Sequence, residues 1–146
     1  MAGRAYATGS QLFYLVVQMN KTEKYEKGMQ VRRSVLGDAH VDRAEASKTE
    51  LDVGFQELIT EAAWGSVWAG DQFTKRERSL ITLALLAAEG NSEAIAMHVR
   101  ASQKTGKSPE DIMEAMLHVA IYCCVSKANH AIKIVKQTLS DLKNDR

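Results

Sequence analysis

Apolar positions along the chain recur at spacings of three and four, and nowhere with the strict alternation of a strand over a useful length. The stretch KTEKYEKGMQVRRSVLG suits a helix that stops at Gly37. DVGFQELITEAAWGSVWAG sets Phe55, Leu58, Ile59, Ala62 and Ala63 at helical spacing, with Asp52 as its cap and Gly70 as its end. TKRERSLITLALLAAEG opens on Thr74-x-x-Glu77, the spacing of a capping box. Its middle, Leu80 to Ala88, is apolar nearly all round, which predicts burial on several sides, in the core or against another subunit. NSEAIAMHVRASQKTG is capped by Asn91 or Ser92 and stopped by Gly106. SPEDIMEAMLHVAIYCC has Ser at the cap, Pro at the first helical position and acids in the first turn. SKANHAIKIVKQTLSDLKN is amphipathic, with Ile132, Val135, Leu139 and Leu142 predicted to face inward. The expectation is an all-α chain: one helical-bundle domain over 19–146, without linker, repeat or low-complexity tract.

Composition narrows this picture. The chain has 146 residues, enough for one domain with a true core. A single proline and few aromatics favour helix over strand. A net charge of +1 gives little support to a nucleic-acid or anionic-membrane partner, and no apolar run approaches the ~20 residues of a spanning helix. Cys123 and Cys124 are adjacent and form no disulfide framework, which fits the cytoplasm; they read as small buried residues. The short run Leu12–Val17 lacks the length and cleavage site of a secretory signal, and Met19 opens a natural-looking start. Residues 1–18 are therefore expected to be a non-native extension.

The chemistry-bearing residues crowd into GMQVRRSVLGDAHVDRA, residues 28–44, where Arg32, Arg33, His40 and Arg43 surround a Gly-Asp break. Guanidinium forks bind both oxygens of a carboxylate, so this segment reads either as a decorated helix end or as part of a pocket for a small dianion. Arg32 and Arg33 point about 100° apart on a helix, so at most one serves a given face. His98 projects from a small-residue face with Ala94, Ile95, Ala101 and Ser102, as a core histidine or as an imidazole in a dry pocket. His130 reads as a surface or interface polar residue and His118 as structural. Trp64 and Trp68, four apart, read as packing residues, and Glu57 as solvated unless the fold turns it inward. No metal spacing links the histidines.

EKGMQVRRSVLGDAHVDRA, FQELITEAAWGSVW, RSLITLALLAAEG, MHVRAS and AIYCCVSKANHA, in that order, together resemble the 4-carboxymuconolactone decarboxylase family, over about residues 21–143. VRRSVLGDAHVDR resembles the decarboxylase branch of the wider alkylhydroperoxidase-like superfamily. The redox branch uses C-x-x-C-x-x-x-H. With its histidine on His98, the thiol positions fall on Asn91 and Ala94, and its glutamate on Ser79, so thiol chemistry lacks its nucleophiles here. The decarboxylase pattern Cys-Gly-Val-Pro-Ala-Ala-Asn-His appears as CCVSKANH: Cys124 stands at the glycine position and Ser126-Lys127 at Pro-Ala, with Ser126 still able to cap a helix.

The resemblance implies loss of CO2 from 4-carboxymuconolactone, a dicarboxylate lactone, to give 3-oxoadipate enol-lactone in the β-ketoadipate route of protocatechuate breakdown. No cofactor or metal is implied, because the unsaturated ring itself accepts the electron pair. Under this reading Arg32 or Arg33, with Arg43, clamps the spectator carboxylate, and His130 joins the substrate-binding set. His98 donates to the developing enolate or delivers the proton, and His40 and Glu57 are further proton carriers. The resemblance also implies a symmetric homo-oligomer, a trimer or hexamer. Rival readings are a decarboxylase for a related lactone or keto acid, a peroxiredoxin-reductase-like member, and a non-catalytic one.

Overall fold

In the computed structural model, residues 9–145 are described, with side chains from residue 23 onward. Of the extension expected at 1–18, residues 1–8 lie outside the described residues. Helix is the only regular structure among those described: α1 (Gly9–Leu36), α2 (Asp38–Ala46), α3 (Val53–Ile59), a π-helix (Thr60–Val67), α4 (Lys75–Glu89), α5 (Ser92–Arg100), α6 (Ser102–Thr105), α7 (Pro109–Tyr122) and α8 (Val125–Asn144). The described chain divides into two compact units, one of residues 9–31 and 48–69 and the other of 32–47 and 70–145.

In the first unit, α3 runs directly into the π-helix, where Trp68 N–H donates to the Ala63 carbonyl five residues back (2.8 Å). Asp52 stands at the N-cap of α3 as expected, but its side chain makes no cap bond and accepts from Thr49 N–H (2.7 Å) and its hydroxyl (2.8 Å). The face buried here differs from the expected one. Phe55 and Leu58 are exposed, whereas Thr60, Trp64, Gly65 and Trp68 are buried. Trp64 and Trp68 pack as expected, ring centroids 5.1 Å apart. Two glycines let backbones meet: a Cβ on Gly28 would stand 2.1 Å from the Thr60 carbonyl oxygen, and one on Gly65 would stand 2.4 Å from that of Lys24.

In the second unit, α4, α5, α7 and α8 pack on one another around Leu83, Ala87, Ile95, Val99, Ile112, Met116, Val119, Ala131 and Val135. Of the expected inward residues on α8, Val135 is buried, while Ile132 and Leu139 pack against this core, partly exposed. Local signals set the helix starts. Thr74 with Glu77, and Ser108 with Asp111, form complete capping boxes, and Asn91 Oδ1 accepts from Ala94 N–H at 3.1 Å. Gly90 (φ +83°) and Gly106 (φ +76°) end α4 and α6 in the left-handed region. The helix expected from 91 to 106 breaks at Ala101 into α5 and α6. Within the single chain, helix α4 buries Leu83 and Ala87 and leaves Ile81 and Leu85 exposed.

The two cysteines are not the buried pair expected. Cys123 is exposed and Cys124 half-exposed, because they form the corner between α7 and α8. Cys124 itself is the N-cap of α8, not Ser126, and no side chain caps that end. Its φ of −163° is extended backbone open to any residue, so the corner does not require the family's glycine. Lys127, at the next departure, donates to the Glu89 carbonyl (3.1 Å) and so satisfies the C-terminus of α4.

Candidate active site: a cationic cleft backed by two histidines

The second unit contains a cleft of about 360 Å³ bounded by the α1–α2 corner and by α5–α6. Gly37 makes the corner: its N–H closes the last turn of α1 on the Arg33 carbonyl (2.9 Å), and its φ of +89° turns the chain into α2. That turn brings His40 and Arg43 to one wall. Met97, Arg100 and Lys104 form the other. Arg43, Arg100 and Lys104 outnumber the one acidic residue of the lining, Asp38. Such a cleft attracts a small anion with more than one negative group.

His40 is half-buried at the cleft. Its pKa is lowered, first by desolvation and then by the charges of Arg43, Arg32 and Arg100. His98 lies on α5 and is 5% exposed. Burial, with the charges of Lys107 and His40, takes it down to about 4. Both imidazoles are therefore neutral near pH 7. A neutral imidazole carries one N–H, which can donate to a developing oxyanion, and one lone pair, which can take a proton.

Arg32 is buried and pairs with Glu45 at 3.3 Å, and its charge reaches His40. Arg33 projects to the surface, held by Asp42 (2.8 Å) and Asp38 (3.1 Å), and does not line the cleft. The hundred-degree rule for neighbouring helical residues thus separates the two arginines. His130 is exposed on α8, with Nε2 2.9 Å from the Ser92 hydroxyl, outside the cleft lining. His118 is exposed and stacks on Tyr122. Glu57 is half-buried on α3, in the first unit. The structure thus brings together His40, Arg43, Arg32 and His98 among the residues singled out from sequence.

Three cations escaped sequence reasoning: Arg100, Lys104 and Lys107. Arg100 and Lys104 are four apart, so a basic pair at helical spacing just after His98 was the available signal. Lys107 gave none, since a lysine after a helix-stopping glycine ordinarily reads as solvated. Instead it is 5% exposed, and its ammonium donates to Ser79 Oγ (2.5 Å), the His98 carbonyl (2.9 Å) and Thr105 Oγ1 (3.1 Å). Burial lowers its pKa to about 8. At the positions where the redox branch carries thiols, Asn91 and Ala94 form the α5 cap. Among the described residues no group of three or more His, Cys, Asp or Glu is placed to hold a metal ion, and no helix is long and apolar enough to cross a membrane.

The carboxymuconolactone decarboxylase family profile matches residues 54–137. A 4-carboxymuconolactone decarboxylase of Acinetobacter baylyi is 33% identical over 124 residues, covering 85% of this chain and 92% of that protein. A nitrosuccinic acid decarboxylase of Metarhizium robertsii is 34% identical over 118 residues, 81% of this chain and 82% of its own length. A 4-carboxymuconolactone decarboxylase of Pseudomonas putida is 51% identical over 47 residues, 32% of this chain and 98% of the sequence compared. With an all-helical fold, a profile match across more than half its length and relatives aligned along most of it, the chain belongs to the carboxymuconolactone decarboxylase family.

Proposed function

We propose that the protein is a decarboxylase of small dicarboxylates that needs no cofactor, with 4-carboxymuconolactone as the first substrate to test and 3-oxoadipate enol-lactone as its product, in aromatic-compound breakdown. The observation that carries this reading is the grouping of Arg43, Arg100 and Lys104 beside a neutral His40 in one cleft of a chain whose relatives bear decarboxylase names.

The chemistry sets the division of labour. As the carboxylate leaves, its electron pair flows through the ring double bond onto the lactone carbonyl oxygen, and a proton must then reach carbon. The cations hold the carboxylate that stays. They do not grip the one that leaves, since that would stabilise the starting anion and raise the barrier. His40, at the cleft, donates to the developing enolate and handles the proton; His98 stands behind it. Arg32 supports His40 electrostatically from its pair with Glu45.

A second substrate is favoured by one relative. Nitrosuccinic acid is also a diacid with an electron-accepting group beside the leaving carboxylate, so it makes the same three demands. Assembly as a homo-oligomer, a trimer or hexamer, is part of the proposal. Leu117, Ile121 and Tyr122 on α7, Val125 on α8, and Ile81 and Leu85 on α4 leave apolar surface exposed on the single chain.

The deciding experiment incubates the purified protein with 4-carboxymuconolactone, and separately with nitrosuccinate, following ultraviolet absorbance and CO2 release. Turnover of the lactone supports the first reading, and of nitrosuccinate alone the second. Consumption of neither sinks the decarboxylase assignment.

A further inference from the structure

Lys107 is an unusual lysine. The left-handed Gly106 (φ +76°) turns the chain so that the next side chain runs inward beneath α4 and α5. An ammonium has three N–H donors, and here all three are used, on Ser79 Oγ, the His98 carbonyl and Thr105 Oγ1. Every acceptor is neutral, and no carboxylate pairs with the charge among the described residues. A buried cation without a counter-charge is costly, and a methionine or leucine would fill the same space without that cost. Because no donor remains, Lys107 cannot bind substrate directly. Any contribution to chemistry passes through what it touches.

What it touches is His98. We propose that Lys107 is a positioning residue for the decarboxylation: an interior cation that fixes the His98 main chain and disfavours protonation of the His98 imidazole. The ammonium-to-carbonyl bond of 2.9 Å anchors the last turn of α5, from which the ring projects. The positive charge a few bonds away opposes formation of an imidazolium. Burial acts on His98 first, then the charge of Lys107 and, where protonated, that of His40. His40 faces Arg43, Arg32 and Arg100 in turn. Lys104 lies across the cleft, and Lys143 of α8 borders the apolar pocket beside Lys107. The carboxylates nearby are Glu45, paired with Arg32, and Asp38 of the cleft lining, and they oppose the cations. The assignment rests on the decarboxylase reading only for what a neutral His98 does; the coupling itself needs no substrate.

The test is an NMR titration of the histidine ring protons in the whole protein without substrate, for the native chain, Lys107→Gln, Lys107→Met and Lys107→Arg. The exposed His118 serves as an internal control. The native His98 midpoint is expected near 4. Either neutral substitution should raise it by about one unit or more, a tenfold gain in proton affinity, and Lys107→Arg should leave it low. The acid limb of kcat/KM should move by the same amount. A merely structural lysine would change thermal stability and leave the His98 midpoint in place. That result in either folded neutral variant, or a native midpoint near the ordinary 6.5, overturns the proposal. A shifted midpoint in a protein that consumes neither acid supports the coupling and overturns the decarboxylase reading instead.

Discussion

The Cε of Lys104 lies 2.9 Å from where a Cβ on Gly37 would stand, and Gly37 holds φ at +89°. The glycine thus shapes the cleft twice, by turning α1 into α2 and by leaving room for a lysine of the opposite wall. Gly37→Ala should cost about 1–3 kcal/mol for a positive-φ, extended backbone that only glycine adopts freely. It should also displace the flexible end of Lys104 and raise KM several-fold. Chemical denaturation and steady-state kinetics on the same variant check both effects.

The cleft cations should act on binding more than on turnover. Arg43→Ala or Arg100→Ala should raise KM about tenfold or more, the loss expected of a charged hydrogen bond, with a small change in kcat. Arg33→Ala should stay within about twofold of native on both, since its partners are Asp38 and Asp42 at the surface. An equal loss at Arg33 would place the anion elsewhere.

The histidines should show the opposite split. His40→Ala and His98→Ala should each lower kcat by more than about tenfold with helical circular dichroism intact, the size expected when a proton carrier or its support is removed. A folded His40→Ala variant of undiminished kcat would take the chemistry out of this cleft.

Stability should depend on pH in two steps. His98 is held near 4 in the folded chain against 6.5 for the free side chain, so the unfolded chain binds the proton first. Stability therefore rises with pH between about 4 and 6.5, by about 3 kcal/mol. Lys107, near 8 when folded against 10.5, adds a second rise of similar size between about 8 and 10.5. Denaturant titrations across this range, compared with Lys107→Met, should show the upper step lost in the variant.

In the first unit, Gly28→Ala should be more damaging than an ordinary helix substitution. Its Cβ would meet the Thr60 carbonyl oxygen at 2.1 Å, and backbone must shift to admit it. A loss of about 1–3 kcal/mol is expected, as for overpacking, read from the fluorescence of Trp64 and Trp68 during unfolding.

Interactions that act within one helical turn were legible in the order of the residues. Thr74 and Glu77, Ser108 and Asp111, and Asn91 each meet their backbone partners within three residues, and Gly37 stops α1, so these boundaries were readable as spacing. The same locality made the resemblance of VRRSVLGDAHVDR legible, and with it the candidate roles of His40 and Arg43. Which charges share a cleft was set by helix packing. Arg43 and Arg100 are 57 positions apart (100 − 43), and no local rule brings them together. Packing also decided that Arg33 is spent on Asp38 and Asp42, that Cys123 and Cys124 sit at an outer corner, and that Lys107 points inward. Caps and stops are fixed by bonds between neighbours in the chain. Burial and charge pairing depend on which surfaces the packed helices press together.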